Sequence, residues 1–247
     1  MGSRMAEAGK VALVTGGARR VGRAIVLDLA AHGWAVAIHH GRSGDEAGAL
    51  AAAIRDGGGA AVAVPGDLAD TAALPAIVAR AAAALGPLTL LVNNAAIYEK
   101  DVPGALDGAL WQRQLAINLT APVFLAEAFA AGVPEDVEGN VVNFLDPRVY
   151  RPTPDYFSYQ VSKSGLLAAT IAQARAFAPR TRVNAIAPGP VLPSAHTTPE
   201  RYEHRVRSLP LGRAPALEDF GRTVRYFVES SSVTGEVIAL DAGEHLA

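Results

Sequence analysis

An α/β fold is what the sequence predicts: a doubly wound parallel sheet of about seven strands with helices on both faces. Three observations predict it. Short, valine-rich runs alternate throughout with longer stretches of alanine, leucine and charged residues at helical spacing. Those runs are apolar on both faces, as strands covered from two sides must be. The chain is also long enough, at 247 residues with half of them apolar, to bury one sizeable core as a single domain.

Taken in order, the strand runs are 11–15, 35–39, 61–65, 89–93, 140–145, 182–187 and 236–240. The helical stretches between them are 21–32, 46–55, 72–85, 110–131, 159–178 and 217–229. Right-handed crossovers then give the doubly wound sheet, with ligands at its carboxyl edge. The alanine-rich helices carry leucine, isoleucine and regular charges, so they read as packing helices and not as repeats or low-complexity linkers.

A net charge of -2 and a pI near 6.3 supply no basic field for nucleic acid, which leaves a small molecule as the expected partner. The absence of cysteine excludes disulfides and thiolate chemistry. No apolar run reads as the roughly 18 residues of a membrane span, so the cytoplasm is the expected location. Residues 1–4, with a second methionine at Met5, read as an expression remnant and not as a signal peptide, leaving 5–247 as the catalytic domain.

After the first strand comes Thr15-Gly16-Gly17-Ala18-Arg19-Arg20-Val21-Gly22 and then a helix, which makes the unit Rossmann-type. Glycines let the backbone approach a pyrophosphate that the helix N-terminus attracts. An NAD site would place an acid at the end of the second strand; here stand His39, His40, Gly41, Arg42 and Ser43. Arg42 and Ser43, with His39, suit a 2′-phosphate, which favours NADPH over NADH. The competing reading makes Ser43 and Glu46 a capping box and Arg42 a solvated side chain. Asp67-Leu68 and Asn93-Asn94-Ala95 fall at the same sheet edge, suited to the adenine and the cofactor backbone, or to capping a turn.

Tyr159 and Lys163, four residues apart, share one helix face and form a proton-transfer pair. An ammonium beside a phenol is expected to lower its pKa from about 10. With the glycine turn, Asn93-Asn94-Ala95, Asn118 and Pro188-Gly189, this chain resembles the short-chain dehydrogenase/reductase family over nearly its whole length. The resemblance implies that Lys163 holds the nicotinamide ribose, that Asn118 orders a water in a proton relay, and that Pro188, Gly189 and Val191 flank the nicotinamide. Asn118 otherwise kinks or caps its helix. A homotetramer built through the helices at 110–131 and 159–178 is implied as well.

Two positions depart from the family pattern: Arg20 replaces a glycine, and Asp146 replaces the serine expected thirteen residues before the tyrosine. A carboxylate there repels a developing oxyanion but accepts hydrogen bonds from an N–H-rich heterocycle such as a pterin. Arg20, Asp146, Tyr159 and Lys163, with His39 and Arg42-Ser43, resemble the pteridine reductase branch, which implies that Tyr98 stacks on a pterin and that Arg20 faces both substrate and cofactor phosphate. Taken singly, Arg20 also reads as a solvated helix-start residue and Asp146 as a turn residue paired with Arg148. The segment 192–209, with Pro193, Ser194, His196, Tyr202 and His204, is a candidate substrate lid. No His/Asp/Glu spacing suggests a metal. The leading expectation is NADPH-dependent reduction of a dihydropterin; the alternatives are a general carbonyl or alcohol oxidoreductase and a nucleotide-binding regulatory protein without turnover.

Overall fold

The computed structural model of the chain describes residues 9–193 and 197–247. The reading of residues 1–4, and Ser194 and His196 of the lid, lie outside the described residues.

Seven parallel strands form one sheet in the order β3-β2-β1-β4-β5-β6-β7. They are β1 Val11–Val14, β2 Ala35–His40, β3 Ala61–Pro65, β4 Leu90–Asn93, β5 Gly139–Phe144, β6 Thr181–Pro188 and β7 Val237–Leu240. The chain moves outward from β1 to β3, returns to β4 on the other side of β1, and then runs out to β7. That reversal opens a crevice above the carboxyl ends of β1 and β4, where a doubly wound sheet binds its ligands.

Alternation along each strand feeds two cores. Ala12 and Val14 of β1 face one layer, whereas Val11 and Leu13 face the other. The first layer holds α1 (Arg20–Ala31), α2 (Gly44–Asp56) and α8 (Leu217–Glu229). In α8 the buried positions Phe220, Val224 and Phe227 follow i, i+4, i+7, so one stripe meets the sheet and each ring or branched chain contributes about 2 kcal/mol of burial. The opposite layer holds α3 (Leu74–Leu85), α5 (Ala121–Gly132) and α6 (Phe157–Ala176).

Two departures from the sequence reading bear on the site. The helix expected over 110–131 is α4 (Gly108–Leu115), a π turn over Ala116–Thr120, and α5. The segment 192–209, expected to be a lid, contains a helix that apolar periodicity did not reveal, α7 (Pro199–Ser208), capped by the Thr198 hydroxyl accepting from the Arg201 N–H. It has no buried residue, so it carries no apolar stripe to read.

The stretch Gly108–Gly132 is also long and apolar enough, with a mean hydropathy of 1.5, to match a membrane span by length and composition, which the sequence reading did not anticipate. Its polar content points to a packed helix. Gln114 and Asn118 are fully buried and hydrogen-bonded to neighbouring backbone and side chains.

Candidate functional site

The glycine turn is held by short-range wiring. Gly16 takes the left-handed conformation at φ 61°. A Cβ on Gly22 would lie 2.3 Å from the Gly16 carbonyl oxygen, so only glycine lets α1 press this closely on the turn. Asn94 Nδ2 donates to the Thr15 carbonyl at 2.9 Å, and the Thr15 hydroxyl accepts from the backbone N–H groups of Asn94 and Ala95 at 3.0 Å. Asn93 points elsewhere: its Nδ2 donates to Asn143 Oδ1 at 2.9 Å inside the core, and Asn143 continues to the Thr170 hydroxyl. Of the Asn93-Asn94-Ala95 segment, only Ala95 lines the crevice.

That crevice, about 540 Å³, is lined by Gly16, His39, Arg42, Asp67, Leu68 and Ala95 among others. Its shape and chemistry fit a dinucleotide: a side-chain-free turn at the start of a helix, an apolar floor at Leu68, and a cation at Arg42. Asp67 turns Oδ1 to the Ala69 N–H at 2.9 Å while its residue edges the crevice. Ser43 precedes α2 without making a side-chain cap, and Glu46 pairs instead with Arg19 at 2.9 Å, so the capping-box reading does not hold. Arg42 is exposed and makes no ion pair among the described residues.

His39 lines the crevice and is held from both sides. Its Nδ1 accepts from the Gly16 N–H at 3.4 Å and its Nε2 lies 3.2 Å from the Gly66 carbonyl. Burial lowers its pKa to about 4, so the ring is neutral and Nε2 carries the proton it gives to Gly66. It has neither charge nor a spare donor for a phosphate. His39 ties the glycine turn to the end of β3.

The second cavity, about 260 Å³, brings together Arg20, Tyr98, Asp146, Arg148, Tyr159 and Tyr202, with Val21, Pro188, Gly189 and Val191 along its wall. The Tyr159 hydroxyl donates to Asp146 Oδ2 at 3.2 Å. Asp146 Oδ1 accepts from the Arg148 N–H at 2.9 Å, and Arg148 Nη1 reaches Oδ2 at 3.4 Å. One carboxylate thus makes the turn contact with Arg148 and also meets the Tyr159 phenol. Lys163 is buried, with Nζ donating to the Phe144 carbonyl at 2.6 Å and lying 5.8 Å from the Tyr159 ring centroid.

Burial first, and Asp146 second, push the Tyr159 phenol well above 10. The expected lowering by Lys163 is outweighed in this geometry by burial and by Asp146, and burial lowers Lys163 itself to about 8. Tyr159 is a protonated donor here, as a reductase needs at the start of its cycle.

Tyr98 meets the Tyr159 ring edge-on at 4.8 Å and stacks on Tyr156 at 4.0 Å with an 8° interplanar angle. Arg148 lies 5.6 and 5.7 Å from those two stacked rings. Tyr156 is left-handed at φ 57°, a strained conformation that seats its ring beside Tyr98. Asp101, buried, accepts the Ser158 N–H at 3.1 Å and anchors the start of α6 below Tyr159. Neither Tyr156 nor Asp101 was singled out from sequence; the aromatic three residues before Tyr159 was the available signal for the first, while the partner of Asp101 stands 57 residues away.

Asn118 sits within the π turn, and its amide is spent twice on Ile97, accepting from its N–H and donating to its carbonyl at 2.9 Å each. The kink reading describes this side chain, which fixes the segment leading to Tyr98. Gly189 passes so close to β7's end that a Cβ would lie 2.6 Å from Asp241 Cα. Arg20 is also left-handed, at φ 53°, and its guanidinium donates to the carbonyls of Pro193 and Leu192 at 3.0 and 3.2 Å. Arg20 is exposed, as the solvated reading expects, and also meets the 192–209 segment through these two contacts. Tyr202 of α7 donates to the carbonyls of Pro190 and Val191, which binds the lid to the nicotinamide-side loop expected from sequence.

A family model described as enoyl-(acyl carrier protein) reductase matches residues 16–245. A putative ketoacyl reductase of granaticin polyketide synthase from Streptomyces violaceoruber is 32% identical over 244 residues, covering 96% of each chain. Among solved structures, FolM alternative dihydrofolate reductase 1 from Brucella suis in complex with NADP is 55% identical, with a TM-score of 0.94 over 96% of this chain and 95% of that one. The corresponding protein of Brucella canis, also complexed with NADP, is 53% identical with a TM-score of 0.95 over 100% of this chain and 97% of that one.

Proposed function

Since the chain belongs to the short-chain dehydrogenase/reductase family, we propose that it is an NADPH-dependent reductase of a dihydropterin-type substrate. One observation carries the substrate class: Asp146, standing where the family pattern has a serine, is hydrogen-bonded to the Tyr159 phenol in a pocket walled by Tyr98 and Arg20. The two Brucella proteins, named as dihydrofolate reductases, support it.

The bound cofactor supplies the hydride; the chain's residues do the rest. The Gly16–Gly22 turn and the start of α1 receive the pyrophosphate, Asp67 and Leu68 border the adenine, and Arg42 with Ser43 takes the 2′-phosphate. Lys163 holds the nicotinamide ribose, and Pro188, Gly189 and Val191 line the nicotinamide. Asp146 accepts ring N–H groups and favours a protonated C=N, Tyr98 stacks on the ring, and Arg20 donates to its oxygen or nitrogen. Tyr159 gives its proton to the ring nitrogen beside the carbon being reduced, and the Lys163 ammonium stabilises the phenolate left behind. Asn118 and Asn94 act as positioning residues.

The test is NADPH absorbance with dihydropterins, dihydrofolate and simple ketones. Dihydropterin turnover lost about 100-fold in Asp146→Ser is expected, the size of a positioned proton or charge contribution. Turnover of ketones alone, unchanged in Asp146→Ser, would establish the carbonyl-reductase reading, which the ketoacyl reductase relative supports. Cofactor binding with no turnover of any substrate would establish the regulatory one.

The same proposal takes residues 5–247 as one catalytic domain with a lid around 192–209, working in the cytoplasm as a homotetramer. Phe124 on α5 and Ile171 on α6, about half exposed, support pairing through those helices, and light scattering tests it.

A further inference from the structure

Beside the ring pocket lies a further cavity, of about 510 Å³, whose wall includes Arg148, Arg151, Thr153, Arg205, Glu244 and His245. Arg148 and Arg205 also line the ring pocket, so the two cavities share a wall and a substrate seated against Tyr98 and Asp146 has this space next to it. The chain is slightly acidic overall, with a net charge of -2, yet three guanidinium groups converge here. Arg148 is committed in part to Asp146, and Arg205 is clasped by Glu244 through Nε at 2.8 Å. Glu244 Oε2 is buried, which turns that oxygen away from the open space. His245 is directed by Asp241, which receives its backbone N–H at 2.7 Å and lies 2.8 Å from its Nδ1. Arg151 is exposed and makes neither an ion pair nor a hydrogen bond among the described residues.

We infer that this annex recognises an anionic group, carboxylate or phosphate, on the side chain of the substrate whose ring occupies the Asp146–Tyr159 pocket, with Arg151 as its uncommitted cation. The inference rests on the proposed dihydropterin reading and adds to it the charge of the part that projects from the ring. Guanidinium suits both anions, since its planar fork matches two oxygens of either. Thr153 adds a hydroxyl on the same wall. The annex is open to solvent, so its effect is modest and screened by salt.

The experiment compares three dihydropterins, in turnover with NADPH and in binding to the NADP-bound protein: one with a neutral hydroxylated side chain, its monophosphate ester, and dihydrofolate, whose tail is a dicarboxylate. Turnover is followed by NADPH oxidation and affinity by calorimetry. A KM lower by about three- to tenfold for a charged substrate is expected, the difference shrinking in 0.5 M NaCl and in Arg151→Ala, and returning in Arg151→Lys. Which charged substrate shows the gain separates phosphate from carboxylate. Equal KM for all three, or a preference indifferent to Arg151→Ala, overturns the annex while leaving dihydropterin reduction intact. Absence of turnover with all three overturns the catalytic reading; calorimetry then judges the annex by itself, which fails if Arg151→Ala leaves the affinity for both charged compounds unchanged.

Discussion

The two ends of the crevice are built on opposite terms. At the nucleotide end the polar side chains are spent on the protein: Thr15, His39 and Asn94 all satisfy backbone groups of the glycine turn or its neighbours. At the catalytic end Tyr159, Asp146 and Arg148 are spent on one another through contacts of 3.2 to 3.4 Å, and two non-glycine residues there, Arg20 and Tyr156, hold left-handed backbone. The first end is braced by side chains turned onto its own backbone. The second is a cluster of side chains that hold one another. Substitutions should accordingly cost stability at the one and activity at the other.

The largest effect expected is at the catalytic end. Tyr159→Phe removes the donor and should lower kcat with a dihydropterin by about 10²- to 10⁴-fold, while the melting temperature stays within a few degrees of the parent. A matching collapse in stability would erase the contrast between the ends.

Acid tests the nucleotide end next. His39 protonates near 6.5 when unfolded and near 4 when folded, so between those values the unfolded chain binds more protons and acid favours unfolding. Stability owed to His39 is complete above pH about 6.5 and should decline by up to about 3 kcal/mol towards pH 4. Denaturant titrations of the parent and His39→Gln, compared across that window, isolate the effect; parallel curves would show that the ring is not held neutral.

Gly22→Ala sharpens the same end. With a contact of 2.3 Å to relieve, it should cost about 1–3 kcal/mol and weaken NADPH binding, both measurable by calorimetry. The smallest effect belongs to Arg42, which makes no ion pair among the described residues. Arg42→Ala should leave stability unchanged and reduce the NADPH over NADH preference in kcat/KM by about tenfold, as loss of a charge-assisted contact predicts.

The layout of the fold was legible because it is written in local periodicity: strands rich in valine and helices rich in alanine and leucine differ over any ten residues. Helix α7 escaped because it buries nothing, and the π turn escaped because its signal is a single extra residue in an otherwise helical pattern. At the site, the close turn at Gly16 and Gly22 and the meeting of Asp146 with Tyr159 in one cavity were legible, because short spacings along the chain already place these residues together. How His39 and Asn93 turn was not legible for a physical reason: position on the sheet edge is visible in sequence, but the side to which a side chain turns depends on partners such as Gly66 and Asn143, which are distant in the chain. Arg148 appeared as a turn partner of Asp146 and proved also to be a cation beside two stacked tyrosine rings.

The π turn at Ala116–Thr120 works as a phase shifter. Each residue along a regular helix advances its side chains by about 100°, so one additional residue accommodated in a single wide turn redirects everything downstream. Upstream, α4 aims Gln114 at Ser158 on α6; downstream, α5 aims Leu125 and Phe129 at the core beneath the sheet. A one-residue deletion within 116–120 would restore a straight rod and misalign those two faces, leaving a protein able to form every helix it now has and unable to seat both ends of this one.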